Sequence, residues 1–168
     1  LVALGANLAG PAGPPRAQLE AALAAFPRHG IHVGARSTWW ISPAWPDPSD
    51  PPFVNGVVAV ETALDPVSLL TALHAIERSL GRVRGAPNAP RPIDLDLVDF
   101  NGLVRSGSAP PELPHPRLAN RAFVLRPLAE IAPNWRDPIS GASVTDLLAK
   151  LPAGSDAEKL APMRGLRP

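Results

Sequence analysis

Residues 93–98 read Ile93-Asp94-Leu95-Asp96-Leu97-Val98. On a strand, alternate side chains share a face. Ile93, Leu95 and Leu97 would then enter a core, while Asp94 and Asp96 would stand together on the opposite face, about 6–7 Å apart. Two ionised carboxylates at that spacing repel each other, and a site that keeps both usually has a cation nearby. Oxygen-only donors with open coordination positions suit Mg²⁺ carried in with phosphates. An isolated Asp-x-Asp is more often an exposed strand face, so the surrounding residues decide the reading.

Those residues are basic. Arg78, Arg82, Arg84 and Arg91 precede the pair, and no acidic residue lies between Arg78 and Asp94. Arginines around a metal-binding carboxylate pair suit a polyphosphate: the metal bridges its oxygens and guanidinium groups clamp the rest. Neither Gly-x-x-x-x-Gly-Lys-Ser/Thr nor Gly-x-Gly-x-x-Gly occurs, so a nucleotide would bind without a glycine-rich phosphate loop. Phe53 and Asn55 share a face of another strand and pair a stacking surface with an amide, which is what a flat heteroaromatic ring needs. Leu113-Pro114-His115-Pro116-Arg117 is a rigid loop presenting a His and an Arg, and Arg121 and Phe123 add a second cation and aromatic. Glu77, taken alone, reads as a surface acid.

Elements must hold these groups in place. Leu1–Leu4 reads as a buried strand. Pro15–Phe26 reads as a helix, with Leu19, Ala22, Leu23 and Phe26 at helical spacing. Ile31–Ile41 and Phe53–Thr62 read as strands, separated by a loop over Ser42–Pro52 that five prolines keep irregular. Asp65, Pro66 and Gly81 mark the cap, first position and end of a second helix. Arg82–Pro92 is a loop leading into the strand Ile93–Phe100. Asn101-Gly102 then signals a hairpin turn, with Leu103–Val104 as its partner strand. Arg121–Ile131, interrupted at Pro127, and Val144–Leu151 read as helices. The order β-α-β-β-α-β predicts an α+β, ferredoxin-like fold: a mostly antiparallel sheet with helices packed on its faces. Residues 1–151 form the expected single domain, and 152–168 a loose tail.

Composition narrows the classes. The 168 residues are 45% hydrophobic, enough for a buried core. The formal net charge of +1 gives no global attraction to nucleic acid or membrane. An RNA-binding ferredoxin-like module, which needs sheet-face aromatics and a basic surface, is disfavoured by the absence of Tyr. The absence of Cys rules out disulfides and thiolate metal sites. No secretory signal or membrane span is read, and a cytoplasmic protein, monomeric and without nucleic-acid or membrane partners, is expected.

The ordered motifs resemble those of the 6-hydroxymethyl-7,8-dihydropterin pyrophosphokinase family. They are Leu4-Gly5-Ala6-Asn7-Leu8, Phe53-Val54-Asn55, Ile76-Glu77, Leu80-Gly81-Arg82-Val83-Arg84 and Pro90-Arg91-Pro92-Ile93-Asp94-Leu95-Asp96. Leu113-Pro114-His115-Pro116-Arg117, Arg121-Ala122-Phe123-Val124-Leu125 and Pro127-Leu128-Ala129-Glu130-Ile131-Ala132-Pro133 complete the series. The resemblance implies that ATP donates its β,γ-pyrophosphate to the pterin's hydroxymethyl oxygen and releases AMP, a step in folate biosynthesis. It implies two Mg²⁺ ions on Asp94 and Asp96, with Arg82, Arg84 and Arg91 gathering charge as the α–β bond breaks. ATP contacts are implied for His74, Glu77, Leu97, His115 and Arg121. Pterin contacts are implied for Ser42, Pro43, Phe53, Asn55 and Phe123. Where the family usually has Trp-Gly-Pro-Arg, this chain has Asn88-Ala89-Pro90-Arg91. Of Trp39, Trp40 and Trp45, the last, in the Pro-rich loop, is the first candidate to substitute. The altered 85–89 segment motivates the alternative of a relative that binds nucleotide or pterin without efficient transfer.

Overall fold

The computed structural model describes residues 1–83, 85, 88–107, 109–152 and the backbone of 158–159. Its elements run β1 (Val2–Ala6), α1 (Pro15–Ala25), β2 (Ile31–Arg36), β3 (Trp40–Ser42), β4 (Phe53–Thr62), α2 (Pro66–Ser79), β5 (Asp94–Leu97), α3 (Ala122–Ile131), α4 (Val144–Ala149) and β6 (Glu158–Lys159). Among the described residues the sheet has six strands in the order β5-β1-β4-β3-β6, with β2 also paired to β4, and every pairing is antiparallel. This is the α+β, ferredoxin-like arrangement that the order of elements predicts. No described helix is long and apolar enough to cross a membrane.

Helices cover both faces, so every residue of β1 is buried. Val2, Leu4 and Ala6 point to one core, which Leu19 and Phe26 from the α1 side and Leu69, Leu73 and Ile76 of α2 complete. Ala3 points to the other core, with Val124, Leu125 and Leu128 of α3 and Val144 and Leu147 of α4. Asp65 caps α2 by accepting from the Val67 and Ser68 N–H groups at 2.9 and 3.0 Å. Gly81, at φ +86°, takes the left-handed turn beyond the end of that helix.

The expected single strand over Ile31–Ile41 is two strands. Between them Ser37 alone keeps the pairing: its N–H donates to the Val57 carbonyl at 3.0 Å and its hydroxyl oxygen accepts from the Val57 N–H at 3.0 Å. The break lets Trp39 turn inward over Gly56, where a Cβ would stand 2.6 Å from the indole ring. Outside, the Thr38 N–H donates to Glu130 on α3 at 2.8 Å. The strand expected at Leu103–Val104 does not form. Asn101 and Gly102 do turn, both at positive φ, but the ladder stops there. The nearest pairing is the isolated bridge between Arg105 and Leu113. α3 runs through Pro127 rather than stopping, because Val124, Leu125 and Leu128 secure it against the sheet. Of the tail expected over 152–168, residues 153–157 and 160–168 lie outside the described residues, and the backbone of Glu158–Lys159 pairs with β3.

The indole over Gly56 is a fixed obstacle in a packed core. Gly56→Ala should lower the unfolding free energy by about 1–3 kcal/mol. Urea denaturation checks this, and an unchanged midpoint would show that the ring can yield.

Candidate active site

Leu95 and Leu97 face the α2 core, so the pleat turns Asp94 and Asp96 to the other face of β5. Next to them on β1 stands Gly5, paired with Asp94 on one side and with Asn55 of β4 on the other. A Cβ at Gly5 would lie 3.3 Å from Asn55 Oδ1 and 4.0 Å from Asp94 Cβ. The missing side chain leaves a floor running from the acidic strand to the amide.

Basic side chains converge on the two aspartates. Arg82 donates from Nη1 to both Glu77 Oε1 and Asp94 Oδ1. Arg91 Nη2 lies 3.0 Å from Asp94 Oδ2. Arg121 Nη1 donates to Asp96 Oδ2 at 3.3 Å, and His115 Nε2 lies 3.9 Å from the same oxygen. Arg84 lies outside the described residues. Glu77, read in isolation as a surface acid, is instead 5% exposed. It faces β5 and accepts the Leu95 N–H at 2.7 Å. Its fixed position comes from α2, whose packing aims it at the strand.

Burial shapes the protonation of the cluster. It pushes the Glu77 carboxyl up to about 7, against the opposing pull of the Leu95 N–H and Arg82. The Asp94 carboxyl is also raised, first by burial and then by the charge of Asp96, while Arg91 and Arg82 resist the rise. Burial lowers His115, and the nearby Asp96 carboxylate only partly offsets this.

Two cavities meet here. One, of about 420 Å³, is polar and is lined by His74, Glu77, Arg82 and Val83 together with the aspartates. The other, of about 500 Å³, is largely apolar and is lined by Ser42, Pro43, Trp45, Phe53, Asn55 and Phe123. Asp94, Asp96, Arg91, Arg117 and Arg121 belong to the walls of both. Within the second, Asn55 is buried and donates from Nδ2 to the Ser42 hydroxyl at 3.0 Å, which fixes the amide plane. A guanidinium stands over each aromatic ring at 5.4 Å: Arg91 over Phe53 and Arg121 over Phe123. Leu97 is placed in the core, so only its backbone could meet a nucleotide. Trp39 and Trp40 are buried and donate their indole N–H groups to Glu20 and Glu130. Trp45, by contrast, is 71% exposed and lines the apolar cavity.

Of the other residues at the site, Arg117 is read from sequence together with His115, whereas Asn7 and Gly5 are hard to single out. Arg117, which shares a rigid loop with His115, lines both cavities. Asn7 ties the two long loops together: its Oδ1 accepts the Arg91 N–H at 2.8 Å, and its Nδ2 donates to the Pro51 carbonyl at 3.0 Å. The only local signal for Asn7 and Gly5 is the short run Gly5-Ala6-Asn7.

A ferredoxin-like sheet carrying a carboxylate pair between a guanidinium-lined chamber and an aromatic–amide chamber defines a phosphate-handling protein with room for a second, flat ligand. A family model described as 7,8-dihydro-6-hydroxymethylpterin-pyrophosphokinase (HPPK) matches residues 1–133, and the chain belongs to that family. It is 44% identical over 152 residues to a 2-amino-4-hydroxy-6-hydroxymethyldihydropteridine pyrophosphokinase of Pseudomonas aeruginosa, covering 90% of each chain. A protein of the same name from Synechocystis is 40% identical over 152 residues, 90% of this chain and 75% of the relative. The folic acid synthesis protein fol1 of Pneumocystis carinii is 42% identical over 101 residues, 60% of this chain and 14% of that much longer protein.

The buried Glu77 carboxyl gives a pH signature. Its value in the folded protein, about 7, lies above the ordinary 4.5. Between those values the folded protein keeps a proton that the unfolded chain has released, so this group's contribution to stability falls as pH rises through that window. Glu77→Gln removes the effect. In metal-free buffer the variant's stability should improve relative to the parent as pH rises from 4.5 to 7. Parallel pH profiles would contradict the assignment.

Proposed function

We propose that the protein transfers the β,γ-pyrophosphate of ATP to the hydroxymethyl oxygen of 6-hydroxymethyl-7,8-dihydropterin, releasing AMP, in folate biosynthesis. The observation that carries this reading is the meeting of the two chambers at Asp94 and Asp96. A polyphosphate in the polar chamber and an alcohol in the apolar one would face each other across that strand.

The donor set fits a hard divalent cation. Asp94 and Asp96 offer only oxygen, and among the described residues no three or more His, Cys, Asp or Glu side chains are arranged to hold a metal ion by themselves. Phosphate oxygens and water would complete the coordination. Asp94 and Asp96 would hold Mg²⁺, two ions by the family resemblance. When bound, the metal neutralises polyphosphate charge and helps align it.

The chain's own residues do the rest. Phe53 and Phe123 present ring surfaces to the pterin, while Asn55, Ser42 and Pro43 read its edge. His74, Glu77, His115, Arg121 and the Leu97 backbone bound the nucleotide. The alcohol oxygen bonds to the β-phosphorus as the bond from that phosphorus to the α–β bridging oxygen breaks. The electron pair leaves with AMP and the alcohol proton passes to solvent. Arg82 and Arg91, together with Arg84, supply positive charge as the bridging bond lengthens. To do so Arg82 and Arg91 exchange part of their hold on Asp94 for phosphate oxygens. Alignment and charge neutralisation suffice, and no strong general base is needed. The protein acts as a cytoplasmic monomer.

AMP should form only when ATP, Mg²⁺ and the pterin alcohol are all present. Tight ligand binding without AMP release would identify a binding-only relative instead. Asp96→Ala should retain the fold and lose turnover by about a hundredfold or more. A variant that still turned over would remove Asp96 from the site. Asn55→Ala should weaken pterin binding about tenfold or more, because it removes a buried, pre-oriented amide. Calorimetry measures that loss, and unchanged affinity would place the pterin elsewhere.

A further inference from the structure

One side chain receives both ends of the arginine-bearing segment. Gln18, on α1, has no solvent exposure. Its Oε1 accepts the Ala12 N–H at 2.7 Å. Its Nε2 donates to the Leu80 carbonyl at 2.8 Å and reaches the Pro92 carbonyl at 3.4 Å. Leu80 ends α2 just before Arg82, and Pro92 directly follows Arg91. Gly10 makes the arrangement possible: a Cβ there would stand 2.2 Å from Gln18 Nε2 and 2.9 Å from Pro92 Cβ.

Packing alone does not account for a carboxamide in this position. A buried amide is costly unless its donors and acceptor are satisfied, and this one also serves the Ala12 N–H and the Leu80 carbonyl, which an apolar side chain of similar size could not. What the amide adds is a fixed distance between two stretches of chain. Arg82 and Arg91 reach the two oxygens of one carboxylate, Asp94, from opposite ends of their segment. Where each guanidinium arrives depends on where its end of the segment is held. Misplacement by about 1 Å is enough to slow an alignment-driven reaction by two orders of magnitude.

We infer that Gln18 is a positioning residue for phosphoryl transfer: by tying Leu80 and Pro92 to one amide it sets the spacing at which Arg82 and Arg91, the latter also held through its backbone by Asn7, reach Asp94. It touches no reacting atom. Its kinetic consequence rests on the pyrophosphate-transfer reading, whereas its geometric consequence does not.

Two variants test it. Gln18→Met keeps the volume and removes the hydrogen bonds. Gln18→Leu removes the same hydrogen bonds with a shorter side chain, and it carries the test if Gln18→Met fails to fold. Both should lower kcat by about tenfold or more while the pterin Kd stays within about twofold. In ¹⁵N NMR spectra of the ligand-free proteins, the Nε–H signals of Arg82 and Arg91 should shift while the indole signals of Trp39 and Trp40 stay in place. Unmoved guanidinium signals in a folded variant overturn the inference. So does a fall in pterin affinity that tracks the fall in kcat, which would mark general damage. If the unaltered protein releases no AMP, the transfer reading fails, and the guanidinium signals alone decide the role of Gln18.

Discussion

Glu77, Asp94 and Asp96 crowd three carboxylates onto the junction of α2 and β5, where burial raises the cost of every unpaired charge. Arg82 bridges two of them, Arg91 takes the far oxygen of Asp94, and Arg121 and His115 turn to Asp96. Removing a partner from such a half-buried set leaves a carboxylate short of compensation, so each arginine is held where it is by the acids it serves. The surrounding architecture meets that constraint. α2 is capped and packed so that Glu77 faces inward. β5 is pinned against β1 so that its pleat presents both aspartates. The loop from Leu113 to Arg121 returns the remaining cations to the same face.

The arrangement also sets how tightly a polyanion could be held. Guanidinium groups already paired with carboxylates are pre-aimed but not free, so a phosphate would gain only the difference between two ionic environments. Pre-aiming limits the entropy lost on binding, and a shared hold limits affinity. Together they favour stabilising charge that develops during a reaction over charge already present in the ground state.

Much of this was legible in the residues themselves. The alternation around Asp94 gave the face, the Pro66 and Gly81 punctuation gave α2, and the β-α-β-β-α-β order gave the sheet. Local pattern failed where a distant group decided the outcome. The β2–β3 break depends on Trp39 meeting Gly56 across the sheet and on Glu130 of α3 catching Thr38. The turn at Asn101-Gly102 formed as written, but nothing distant supported a strand at Leu103–Val104. Glu77 read as a surface acid because its burial is imposed by β5, 18 residues away. Asn7 and Gln18 were silent for the same reason: their partners lie 84, 62 and 74 residues along the chain.

The short pairing of Glu158–Lys159 with Trp40–Ile41 bears on how the protein behaves in concentrated solution. β3 would otherwise close the sheet with a row of open backbone donors and acceptors, and Ser42, at its end, is also a wall of the apolar cavity. An unpaired edge of that kind invites strand addition from a neighbouring copy. Removing the late segment would leave the backbone of Trp40 and Ile41 open to strand addition, one residue from the cavity wall at Ser42.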